Sequence, residues 1–202
     1  MKTIVWDIDD VLNDLQRSWL DVEWNGKHPG RMIKYAQLTV NPPHDLLKID
    51  IHSYRESLDA FRLSARAGTM KPDPQVYNWF TRYGHLFRHV ALTARNIGTV
   101  SVAIQWLLDH FGQWFQTIAF IPSERRHESP KQPDRRKVDY LVWLNRADYY
   151  IDDNSINVRE ASAIGVCAFL VSQPWNNSQQ TLCQILRIIN ENEGLVSHDK
   201  AF

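Results

Sequence analysis

The 202 residues are 44% apolar and 23% charged with eight tryptophans, a globular composition that excludes a disordered or fibrous chain. Twenty-three Lys and Arg balance twenty-three Asp and Glu, so no net positive field is present to hold duplex nucleic acid or an anionic membrane. No apolar run reaches the roughly 18 residues of a membrane span, and Asp7 interrupts the amino-terminal run too early for a secretory leader. Cys167 and Cys183 have neither metal-ligand spacing nor a disulfide framework, so a reduced, cytoplasmic setting is the expectation.

Residues 2–9 (KTIVWDID) form a short run rich in Ile, Val and Trp that ends in acids, the pattern of a buried strand. Amphipathic segments follow at 15–24 and 54–67, with a break at Pro42-Pro43 and an exit through Gly68 and Pro72. Pro74–Tyr83 predicts the first crossover helix. Strand-like runs recur at 89–93, 117–121, 148–151 and 166–171. Helical periods lie between them at Val100–Phe111, 138–144 and 156–163, with a last one at 182–189, and Gly112 and Gly165 stand where helices stop. This alternation predicts an α/β chain with a mainly parallel, five-stranded Rossmann-like sheet and helices on both faces. About 79 residues separate the first two strands, where a whole βαβ unit needs roughly 30. The surplus predicts a small helical cap at 14–71, inserted into a core made of 1–13 and 72–202.

Ligands of such sheets bind beyond the carboxyl ends of the strands. There the chain places Asp7-Ile8-Asp9-Asp10-Val11, Thr93-Ala94-Arg95 and Asp152-Asp153-Asn154. Singly, Thr93 or Asn154 reads equally as a helix cap. Jointly, the three ends bring four or five carboxylates to one crevice. Two carboxylates about 4 Å apart repel by roughly 4 kcal/mol at an effective dielectric near 20, so the cluster calls for a cation. All-oxygen ligation favours Mg²⁺. Residues i and i+2 of an extended chain face the same side, which suits Asp7 as nucleophile and Asp9 as proton carrier.

Asp7-x-Asp9-x-Val11, Leu92-Thr93-Ala94-Arg95, a downstream Lys and Ile151-Asp152-Asp153-Asn154 resemble the four ordered motifs of haloacid dehalogenase-like phosphohydrolases. The resemblance covers the core strands and leaves the cap unmatched. It implies a Mg²⁺-dependent phosphomonoesterase with an aspartyl-phosphate on Asp7 and Asp9 as acid/base. It also implies Mg²⁺ held by Asp7, the Asp9 carbonyl and the Asp152/Asp153 pair, with Thr93, Ala94, Arg95 and the Lys meeting the phosphoryl group. Asp10-Val11, and Gln173-Pro174-Trp175-Asn176 further on, are similar to the deoxyribonucleotidase-like branch, which makes a nucleoside 5′-monophosphate one expected substrate among small soluble phosphate esters.

The Lys has two candidates. Lys137 opens the helix before the fourth strand and matches the layout better than Lys131 in the Pro-rich loop. Selectivity falls to the cap, where Trp19, Trp24, Tyr35 and Tyr54 offer rings for a base and Arg31 and Lys34 offer charge. Trp106, Trp114 and Trp143 read as packing residues. The histidines, His44 and His127 among them, show no paired ligand spacing, and Ser129 and Ser172 lack a nucleophile-elbow context. A non-catalytic phospho-ligand binder on the same fold is the alternative, and a phospho-accepting receiver domain fits the order of the acids poorly.

Overall fold

β1 (Thr3–Trp6) is buried along its whole length, as a strand paired on both edges and covered on both faces must be. The computed structural model describes residues 1–125 and 132–195, so Lys131, His127 and Ser129 lie outside the described residues. β1 pairs in parallel with β2 (Arg88–Arg95) on one side and with β4 (Tyr149–Asp152) on the other. β3 (Phe115–Pro122) lies outside β2 and β5 (Cys167–Leu170) outside β4, giving the order β3-β2-β1-β4-β5 with every pairing parallel. The chain winds one way from β1 to β3 and then crosses to β4, so the strand order reverses at β1. A crevice opens at that reversal.

Side-chain alternation along β1 sends Ile4 and Trp6 into one core and Val5 into another. The first is closed by α5 (Pro74–Tyr83), α6 (Val100–Phe111) and α9 (Leu182–Asn192), the second by α7 (Lys137–Leu144) and α8 (Ser155–Ala163). Local signals set the ends. Asp73 accepts from the Gln75 and Val76 amides at 2.8 and 3.1 Å with Pro74 in the first turn, Thr181 and Gln184 form a capping box on α9, and Gly165 takes φ +87° beyond α8. Trp143 departs from expectation. It is 72% exposed, because it lies two residues beyond Leu141 and so on the outer face of α7.

Between β1 and α5 the chain forms α1 (Leu15–Trp19), which runs on into a π-helical stretch at Leu20–Asn25, then α2 (His44–Leu47), α3 (Ile51–Arg62) and α4 (Ala65–Gly68). The amphipathic segment at 54–67 is divided between two helices, because the Ser64 hydroxyl accepts from the Ala67 amide and starts a new one. This insertion has its own apolar cluster, built around Trp19, Trp24, Tyr54 and Phe61. Trp19 meets Tyr54 edge-on at 5.1 Å and donates to the Ser57 hydroxyl at 3.1 Å. Among the described residues no helix is long and apolar enough to cross a membrane.

Candidate active site at the carboxyl ends of the central strands

Asp7 is the first residue past β1, held there by its amide donating to the Ile151 carbonyl at 2.9 Å. Its Oδ1 accepts from the Ile8 amide at 2.7 Å, and its Oδ2 lies 2.7 Å from Lys137 Nζ. The same Nζ lies 2.7 Å from Asp152 Oδ2. Lys137 opens α7 and is 3% exposed, so a full charge sits in the interior between two carboxylates. Burial alone would lower its pKa, but Asp152 and Asp7 outweigh that and hold the ammonium above the ordinary lysine range. Asp152 is fully enclosed. It also accepts from the Tyr150 hydroxyl, the Asn154 amide at 2.7 Å and the Asn157 amide group at 3.1 Å, so both its oxygens are engaged by protein donors.

Asp153 is placed differently. Trp175 Nε1 donates to its Oδ2 at 2.8 Å, and Asn176 Nδ2 donates to its backbone carbonyl at 2.8 Å. Gln173 Nε2 donates to the Asp10 carbonyl at 2.8 Å, and Tyr35 donates to Gln173 Oε1 at 2.8 Å. The 173–176 segment is thus a frame that steadies the acidic cluster. Asp10 itself stands at φ 61°, the left-handed region, and its Oδ1 accepts from the Gln16 amide at 2.8 Å. The spacing i, i+2 identified Asp7 and Asp9; Asp10, turned by that left-handed backbone, joins the same cavity wall.

Asp9 carries two guanidinium partners. Arg95 Nη2 reaches Oδ1 at 2.6 Å and Arg62 Nη2 reaches Oδ2 at 2.9 Å. Arg62 continues to Asp59 at 3.1 Å, and Arg125 clasps Asp59 with Nε at 2.6 Å and Nη2 at 2.9 Å. A ladder Arg125–Asp59–Arg62–Asp9–Arg95 therefore ties α3 of the insertion to the ends of β1, β2 and β3. Burial pushes the Asp9 carboxyl up, but Arg95 and Arg62 together bring it below the ordinary carboxylate range. Asp9 rests as an ion-paired carboxylate.

A cavity of about 160 Å³ is lined by Asp7, Asp9, Asp10, Thr93, Ala94, Lys137 and Asp153 from the core. Arg95 does not line it but touches two residues that do, Asp9 at 2.6 Å and Thr93 at 3.5 Å. From the insertion come Leu15, Gln16, Asn41, Tyr54, Leu58 and Arg62, which sequence reasoning did not single out apart from Tyr54. Trp19 and Trp24 are 0% and 4% exposed inside the insertion's own core, and Tyr35 packs edge-on against Trp175 instead of lining the cavity. Arg31 donates to the Leu47 carbonyl at 2.7 Å.

Oxygens of Asp7, Asp152 and Asp153 come within 4.8 Å of one another. Burial, assisted by Asp152 and Asp9 and opposed by Lys137, pushes Asp7 up to about 7. Burial and neighbouring carboxylates carry Asp10 and Asp153 well above the ordinary range. Lys137 does not balance this charge and both arginines are taken by Asp9, so the donor set fits a hard divalent cation such as Mg²⁺. A thermal consequence follows. The folded chain keeps the Asp7 proton up to about pH 7 while the unfolded chain releases it near pH 4, so between these limits metal-free stability falls as pH rises. A divalent cation bound there would take the place of the lost protons, and the upward shift of Tm on adding Mg²⁺ is expected to be larger at pH 8 than at pH 5. Differential scanning fluorimetry with and without Mg²⁺ checks this, and equal shifts at both values would contradict it.

The sequence matches no protein-family model and no curated protein. Solved structures match the fold over nearly its whole length. A haloacid dehalogenase-like hydrolase from Bacteroides fragilis aligns with a TM-score of 0.62 and 16% identity, over 91% of this chain and 99% of its own. A haloacid dehalogenase-like family hydrolase from Streptococcus pneumoniae gives 0.61 and 12%, over 93% and 91%. A further such family hydrolase from Xanthomonas campestris gives 0.57 and 12%, over 96% and 97%. At these identities the likeness is one of architecture, and the chain has the haloacid dehalogenase-like α/β fold with a helical insertion after its first strand.

Proposed function

We propose that the chain is a Mg²⁺-dependent phosphomonoesterase acting on a small soluble phosphate ester through an aspartyl-phosphate on Asp7. The observation that carries this reading is the Asp7–Lys137–Asp152 bridge, with Asp9 two residues beyond Asp7 on the wall of the same cavity. Lys137 aligns the Asp7 carboxylate and meets phosphoryl oxygens, and Asp152 fixes Lys137 from behind. Thr93, 2% exposed on the same wall, supplies a hydroxyl to those oxygens. Mg²⁺, when bound, neutralises charge on the phosphoryl group and the nucleophile. Asp7, the Asp9 carbonyl and Asp153 would hold it, while the saturated Asp152 serves them indirectly.

In the first step an Asp7 oxygen bonds to phosphorus and the bond to the alcohol oxygen breaks, with a proton passing from Asp9 to the leaving oxygen. In the second step water bonds to phosphorus, Asp9 takes its proton, and the bond to Asp7 breaks. The ladder keeps Asp9 ionised at rest, which suits the second step as it stands. The first requires Asp9 to take up a proton, and that is favoured when the arriving phosphoryl group draws a guanidinium away.

A panel of phosphate monoesters assayed with and without Mg²⁺ tests the reading. Asp9→Asn is expected to lower kcat by about 10²–10⁴-fold, the usual worth of a positioned acid/base. Phosphate-ester binding without turnover in the wild type would instead favour a non-catalytic binder.

A further inference from the structure

Three guanidiniums and two carboxylates alternate along the ladder, and the middle cation differs from the other two. Arg62 touches two acids, Asp9 at 2.9 Å and Asp59 at 3.1 Å, through separate terminal nitrogens. Among the described residues Arg95 pairs with Asp9 alone, at 2.6 Å, and Arg125 with Asp59 alone, at 2.6 and 2.9 Å. Arg62 can therefore let go of Asp9 and stay anchored on Asp59. Asp9 keeps Arg95 meanwhile, so no carboxylate is stranded in the interior, which is what makes breaking a buried pair costly.

Position singles out the same residue. Arg62 ends α3 of the insertion and lines the cavity that Lys137 and Thr93 also line, whereas Arg95 and Arg125 do not line it. Lys137 stays bridged between Asp7 and Asp152, so Arg62 is the cation on this wall able to turn toward a newcomer. The cavity is about 160 Å³, and an anion inside it stays within a few ångströms of each wall. A phosphoryl group brings roughly two negative charges against the single charge of Asp9, and guanidinium grips phosphate in bidentate fashion.

We propose that Arg62 is a phosphoryl-binding residue supplied by the insertion, which exchanges the Asp9 carboxylate for phosphoryl oxygens when substrate arrives. The identity of the anion rests on the phosphomonoesterase reading. One ion pair breaks, another forms, and Asp9 is freed toward the leaving oxygen. Asp59, gripped by Arg125, holds the other edge of the guanidinium throughout.

Calorimetric titration with inorganic phosphate and Mg²⁺ tests the exchange in the wild type, Arg62→Met, Asp9→Asn and the double variant. Arg62→Met leaves a cation on each acid, so it is expected to stay folded and to bind phosphate at least about tenfold more weakly. Asp9→Asn removes the competitor and is expected to bind more tightly than the wild type. Part of that gain is the loss of a like charge, which the double variant isolates. The gain is expected to be at least about threefold larger with Arg62 present than without it. A smaller loss, a smaller difference, or no phosphate binding by the wild type overturns the proposal. Should Asp9→Asn fail to fold, a crystal structure of the wild type with Mg²⁺ and phosphate decides instead. Arg62 in contact with the anion and parted from Asp9 by more than about 4 Å supports the exchange, and anything short of that overturns it. Binding is read without turnover, so a wild type that passes these tests yet cleaves no ester would sink the phosphatase reading alone.

Discussion

Asp7→Asn is expected to abolish phosphate release while the chain stays folded and, at pH 8 in EDTA, melts at a higher temperature than the wild type. An amide has the shape of the carboxylate but is no nucleophile, so no phosphoryl group is accepted. The stability gain has a separate origin. Burial holds the Asp7 carboxyl at about 7, so at pH 8 the wild type keeps an ion in surroundings that penalise it, and the neutral amide lifts the penalty. Lys137 keeps Asp152 as its partner at 2.7 Å. Phosphate release and thermal unfolding measured together separate the two effects. Turnover within about tenfold of wild type would place the nucleophile elsewhere.

Lys137→Met is expected to be the most damaging single change in the core. It leaves Asp7 and Asp152 buried without a cation, and breaking a buried pair from one side costs about 3–5 kcal/mol. Turnover falls with it, since the phosphoryl group loses its ammonium partner. Urea unfolding and steady-state kinetics report the two losses. Lys131→Ala provides the comparison and is expected to alter neither. A reversed ranking would move the phosphate-binding lysine into the loop.

The parallel sheet was legible because its signals are local: five short apolar runs, helical periods between them, and one gap far too long for a crossover. Strand-end acids were legible for the same reason, as the rule that ligands gather at carboxyl ends turns sequence position into place. The ladder was not. Arg62 and Asp59 look like an ordinary solvent-facing pair at i, i+3 on a helix, and only the docking of α3 onto the core brings them to Asp9 and Arg125. Composition also misdirected the reading of the cap. Aromatic rings there suggested a stacking surface, yet a small unit with its own core must bury its largest apolar side chains first.

The order of the strands also bears on how the chain is made. β1 is synthesised first but occupies the middle of the sheet, so its two edges stay unpaired until β2 and then β4 have emerged. Its acids are completed later still, by Gln173 and Trp175 beyond the final strand, and α9 then covers the first core. During translation Asp7 therefore waits for most of the polypeptide, with an apolar strand exposed for as long. No amino-terminal fragment ending before Asn176 holds a complete site, and chaperone demand is expected to be greatest on nascent chains that stop short of β4.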